Sequence, residues 1–175
     1  MPSRVWCLVV LVVPSAGAYW MDCAASEGIT SPALRFSNVT SDPEIVVKGG
    51  HQDIYKVITN VGSTQIVNIT AELSQYWKAF NLTWVRFLKI STNACAEHGG
   101  LCPLAPKQSA SLVTHHPKLA WGTPYGWYRS KQVYFDSATG ARIGCVDMRF
   151  EYCKTAETAA DMSRSVRTRS AERDG

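Results

Sequence analysis

The feature that most constrains this chain is the rhythm of residues 33–153. Short apolar runs follow one another, each closed by a turn signal, with no long stretch at the 3.6-residue helical period. Residues 33–39 alternate loosely, and 44–47 run into the turn Lys48-Gly49-Gly50. Residues 54–59 are β-branched and aromatic and stop at Asn60-Val61-Gly62-Ser63. Residues 65–76 set Ile66, Asn68 and Thr70 against Val67, Ile69, Ala71 and Leu73, a period of two that predicts Asn68 on a polar face. Residues 82–90 set Trp84, Arg86 and Leu88 against Val85, Phe87 and Lys89, and 109–115 form a short strand before Pro117. Residues 125–135 and 141–152 pair across the hairpin Asp136-Ser137-Ala138-Thr139-Gly140. In the last run Val146, Met148, Phe150 and Tyr152 share a face expected in the core. Cys145, Asp147, Arg149, Glu151 and Cys153 share the other, expected in solvent, with Cys153 exposed or just past the strand end. About seven or eight short strands predict an all-β, two-sheet sandwich. Residues 76–80 are the one place where a helical turn is expected.

Both ends differ from this middle. Arg4, the apolar run 5–13, Pro14 and Ala16-Gly17-Ala18 read as a secretory signal over residues 1–18, too short to span a bilayer. Residues 154–175 are Ser-, Thr-, Ala- and charge-rich and read as a disordered tail. Asn38-Val39-Thr40, Asn68-Ile69-Thr70 and Asn81-Leu82-Thr83 fit the N-glycan acceptor pattern, so Asn38, Asn68 and Asn81 are expected to carry glycans. Six cysteines fit an oxidising compartment. A formal charge of +4, scattered along the chain, is no nucleic-acid footprint.

Cys7 leaves with the signal. Cys95 and Cys102 bracket a Gly-bearing loop that a local disulfide could close. Cys145 and Cys153 lie in one extended run, about 26 Å apart, beyond disulfide reach. Cys23 therefore bonds one of those two, and that cross-link constrains the unfolded chain by roughly 4 kcal/mol. Zinc is disfavoured: no C-x-x-C pair occurs, and His98, His115 and His116 lack ligand spacing.

An ordered set of motifs now stands out. Met21-Asp22-Cys23 opens it, Asp42-Pro43 and Val47-Lys48-Gly49 follow, and then comes Cys95-x6-Cys102-Pro103-Leu104. Thr123-Pro124-Tyr125-Gly126-Trp127-Tyr128 and Ile143-Gly144-Cys145-Val146 complete it. Over residues 19–153 the chain resembles the ML (lipid-recognition) domain family, which includes the cholesterol-binding protein of Niemann-Pick type C disease and the group-two mite allergens. The resemblance implies an immunoglobulin-like β-sandwich with an apolar lipid cavity between its sheets. It also implies disulfides Cys23–Cys145 and Cys95–Cys102, and a pocket-lining aromatic at Phe87. Residues 38–45 hold no cysteine, where close relatives of the cholesterol carrier have a third disulfide. Sterol specificity is thus not implied.

A lipid carrier needs an apolar interior and amphipathic side chains at its mouth. The lipid-binding candidates are Val85, Phe87, Leu119, Trp121, Tyr125 and Trp127. His115-His116 could sense pH, and Lys118, Arg129 and Lys131 could meet anionic headgroups. No G-x-S-x-G elbow and no H-E-x-x-H is present, so neither an enzyme nor a cofactor or metal site is expected. The expectation is a secreted, extracellular or lysosomal, monomeric carrier. Its partners would be a sterol, phospholipid or fatty acid, and a transient membrane surface or transfer protein. The alternative is an immunoglobulin-like interaction module or receptor accessory protein without a core ligand.

Overall fold

In the computed structural model, residues 19–43, 46–47, 49–79, 83–116 and 123–153 are described. The expected signal (1–18) and expected tail (154–175) lie outside them, as do Asn81, Lys118, Leu119 and Trp121.

The strands are β1 (Tyr19–Asp22), β2 (Leu34–Asp42), β3 (Val46–Val47), β4 (Gln52–Asn60), β5 (Ile69–Ala79), β6 (Thr83–Asn93), β7 (Ser109–His116), β8 (Gly126–Asp136) and β9 (Arg142–Cys153). They form two sheets. The larger runs β1-β9-β8-β5-β6, with β3 parallel to β9, and the smaller runs β2-β4-β7. The expected all-β sandwich is therefore present, and the 136–140 hairpin closes with Gly140 N–H donating to Asp136 O at 2.8 Å.

Pairing register places the inward side chains of the larger sheet in successive rows. Gly144, Tyr134 and Ala71 form the first row; Val146, Gln132 and Leu73 the second; Met148, Ser130 and Gln75 the third; Phe150, Tyr128 and Trp77 the fourth. Gln52, Ile54, Lys56, Ile58 and Asn60 of β4, all buried, face them from the smaller sheet. The main core gathers Leu34, Phe36, Ile58, Ile69, Leu104 and Leu112 with Tyr134 and Val146.

Four expectations change. Residues 76–79 are strand, because Tyr76 and Trp77 pair on both sides, with Arg86 and Val85 of β6 and with Arg129 and Tyr128 of β8. The helical turn is instead α1 (Ala94–Glu97), where Asn93 Oδ1 accepts from the Cys95 and Ala96 N–H groups. The strand containing Asn68's neighbours begins only at Ile69. Ahead of it Ile66 is buried by a bridge to Leu104, and Val67 is exposed, the reverse of the expected alternation. The second face of β9 is not in solvent. Cys23, Ala24, Ile29 and Val133 cover Cys145, while Arg129 covers Asp147 (Nε to Oδ2 2.7 Å). Cys153, expected exposed, is 1% exposed, paired beside Val47. An alternating strand is half-solvated only if one face lacks a neighbour, and the N-terminal segment supplies one here.

The disulfides are Cys23–Cys145 (Cα–Cα 5.0 Å) and Cys95–Cys102 (Cα–Cα 5.4 Å), as the resemblance implied.

Candidate functional site

One end of the sandwich is lined by rings. Tyr128 stacks on Phe150 (centroids 5.7 Å apart) and meets Tyr152 edge-on at 6.2 Å. Phe87 meets Tyr128 edge-on at 5.9 Å. Tyr125 stacks on Tyr152 at 5.3 Å. Tyr128 donates its hydroxyl to Pro124 O at 2.6 Å, and burial pushes that hydroxyl up to about 12. The buried members are Tyr128, Phe150 and Tyr152, with Val46 against them.

The cluster continues outward along β6, the edge strand of the larger sheet. Val85 lies opposite Trp77, and a register shift between Gln75 and Tyr76 brings Phe87 in beside Leu88 on the inward side. Val85 is 48% exposed and Phe87 53% exposed. Apolar side chains on an inward face that still meet water leave this edge less covered than the core.

The sequence candidates divide on this geometry. Val85, Phe87 and Tyr125 gather at the aromatic end. Trp127, one residue from Tyr128, sits on the opposite face, across from Glu151. Arg129 and Lys131 share that outer face and are already engaged, Arg129 with Asp147 at 2.5 Å and Lys131 with Glu27 at 2.6 Å. Neither is free for a headgroup. The histidine pair splits. His115 is exposed and contacts Asp53 (Nδ1 to Oδ1 2.8 Å), whereas His116 is buried and accepts at Nδ1 from Gln75 Nε2 at 2.9 Å. Burial first, and then the nearby Lys56 charge, push the His116 imidazole down to about 4. Of the glycan candidates, Asn38 is exposed at the β2 bulge. Asn68 is half-buried, with its Oδ1 buried and lacking a partner.

The middle of the interior is not the apolar space expected. Lys56 crosses from β4, donating from Nζ to Gln132 Oε1 of β8 and to Thr114 Oγ1 of β7 at 3.2 Å. Tyr134 also donates to Gln132 Oε1, at 2.6 Å. Burial pushes the Lys56 ammonium down to about 7, with only partial opposition from the Glu97 carboxylate. Ser130 Oγ, Gln52 Oε1 and His116 Nε2 are buried without a partner. A void of about 10 Å³ lies here, between Val39, Ile54 and Lys56 on one sheet and Ser130, Gln132, Val146 and Met148 on the other. Such a volume holds about one water.

Sequence reasoning missed this belt, and its signal is ambiguous. In β4 one face reads Ile54, Lys56, Ile58 and the other Tyr55, Val57, Thr59, and each mixes apolar with polar side chains.

No family model matches the sequence, and no curated protein matches it. Among solved structures, the Niemann-Pick type C2 protein of the Japanese carpenter ant superposes with a TM-score of 0.57 at 14% identity, covering 77% of this chain and 99% of that one. The C-terminal domain of wzt superposes at 0.51 and 7% identity, over 81% of this chain and 83% of that one. Chicken MD-1 complexed with lipid IVa reaches 0.43 at 17% identity, over 77% and 88%. At such identities the likeness extends to the fold alone, and side-chain roles follow from this chain's own geometry. This chain has the two-sheet β-sandwich fold of the ant Niemann-Pick type C2 protein.

Proposed function

We propose that this chain is a secreted or lysosomal carrier that holds a lipid between its two sheets and hands it on without covalent chemistry. The observation that carries this reading is the aromatic end. There the half-exposed Val85 and Phe87 lead directly onto buried Tyr128, Phe150 and Tyr152. The fold likeness to the ant protein and the resemblance to the ML family support it, and the two disulfides suit an oxidising compartment. Binding would come from burial, at roughly 25 cal/mol per Å² of apolar area. A sterol, phospholipid or fatty acid would all supply such area, delivered from a membrane surface or a partner protein to a monomeric carrier.

Loading needs the sheets to part. β6 and β7 are edge strands of different sheets, and across that side Gln75 and His116 join by side chains. Opening there breaks no ladder. The small central void favours a second reading, a closed interaction module without a core ligand.

Native mass spectrometry of the secreted, deglycosylated protein, followed by solvent extraction, separates the two. The carrier reading expects about one lipid per chain, lost in Phe87→Asp and kept in Trp127→Asp, whose side chain lies on the other face. Absence of co-purifying lipid, with no uptake from sterol, phospholipid or fatty-acid vesicles, would leave the interaction module.

A further inference from the structure

The polar belt contains one buried amine that no carboxylate of the described residues touches. Lys56 is 3% exposed, and its Nζ meets neutral acceptors, Gln132 Oε1 and Thr114 Oγ1. None of the ion pairs among the described residues includes it. The Tyr134 ring, its centroid 5.6 Å from Nζ, gives only a quadrupole. A buried ammonium without a counter-ion is costly, and a buried hydroxyl without a partner adds to that cost. Ser130 Oγ is such a hydroxyl, and it borders the same void as Lys56. Gln132 also borders it, and the rest of that wall is apolar: Val39, Ile54, Val146 and Met148.

We infer that this void receives a monoanionic head group, and that the lipid carried is a single-chain amphiphile with a carboxylate, seated head-inward on Lys56 with its tail toward Phe87. The inference rests on the carrier reading and names its ligand class. A carboxylate supplies the missing counter-ion and can accept from Ser130 Oγ as well. A sterol would lay hydrocarbon against an ammonium and leave both groups unsatisfied. A dianion would bring a second charge with no second cation in the belt to meet it. From Gln132 to Tyr128 along β8 is about 13 Å. A long acyl chain covers that span and emerges at the aromatic mouth. The void as it stands holds about one water, so the head group displaces that volume and the sheets separate around it.

The test uses the full mature chain, delipidated, titrated with palmitate, with the corresponding C16 alcohol and with cholesterol. Variants are Lys56→Met and Lys56→Arg, each checked for native circular dichroism. The wild type is expected to bind palmitate about tenfold to a hundredfold more tightly than the alcohol, the value of a charge-assisted hydrogen bond. In Lys56→Met that ratio falls to about one, and Lys56→Arg restores part of it. Equal binding of acid and alcohol by the wild type, or a preference that survives in Lys56→Met, overturns the inference and leaves the carrier reading standing. Tightest binding of cholesterol does the same. Failure of all three ligands to bind overturns the inference, and failure of phospholipid vesicles to load the chain as well would overturn the carrier reading with it.

Discussion

The two ends of this sandwich are built on different principles. At one end the sheets meet so closely that a Cβ added to Gly144 would stand 2.9 Å from Leu34 Cβ and 3.0 Å from the Phe36 ring. The loops over that end are stitched down by Asn60, which donates from Nδ2 to Thr64 O and Leu104 O, both at 2.9 Å, and accepts the Gly62 N–H at Oδ1. Leu101 and Leu104 plug what remains, held by the Cys95–Cys102 link. At the other end large rings replace the close backbone approach, their contacts are edge-on or offset, and the edge strand leaves Val85 and Phe87 half in water. One end is sealed by backbone-satisfying polar contacts and small residues. The other is filled by aromatic rings and leaves apolar side chains half in water at its rim. A carrier needs both, since a sandwich free to part along its whole length would lose its fold with its cargo.

The comparison is broken most directly at the sealed end. Leu34→Ala removes a fully buried side chain beside Gly144 and should cost about 2–5 kcal/mol in denaturant unfolding. If it costs less than 1, the sealed end is softer than its packing implies.

The second test is acidification. His116 is held neutral with an ionisation near 4, facing Lys56, Asp53 and Gln75, whereas an unfolded histidine titrates near 6.5. Between those values the unfolded chain holds a proton that the folded chain lacks. Stability should therefore fall by up to about 3 kcal/mol as pH drops from about 6.5 to about 4. Urea unfolding across that range measures it, and His116→Gln should flatten the slope. An unchanged slope would remove His116 as a weak point of the seam between β5 and β7.

The smallest expected effect falls at the mouth. Phe87→Ala should change stability by less than about 1 kcal/mol, because its ring is already half in water. Measured in the same unfolding series, a loss as large as that of Leu34→Ala would make the mouth a part of the core.

Much of the fold is legible in the amino-acid order. Strand positions, the hairpin at 136–140 and the exclusion of a Cys145–Cys153 bond follow from period and reach, which are local properties. The site is less so. Phe87 is placed by the family resemblance and Val85 by sharing its face, since β6 carries a register shift at that point. Trp127 and Tyr125 sit in one aromatic run of the sequence, yet a strand begins between them and turns Trp127 to the far face.

That this chain makes strands, where they turn and which cysteines are within reach all rest on chain geometry over a few residues. Only the tertiary structure decided which face of a strand is interior. Asp147 and Cys153 are buried because a neighbouring segment covers them, and Lys56 lies inside because Ile54 and Ile58 on the same face join the core with Tyr134 and Val146. The period of two names two faces. The choice between them is made by what packs against each, and that partner lies far away in the chain.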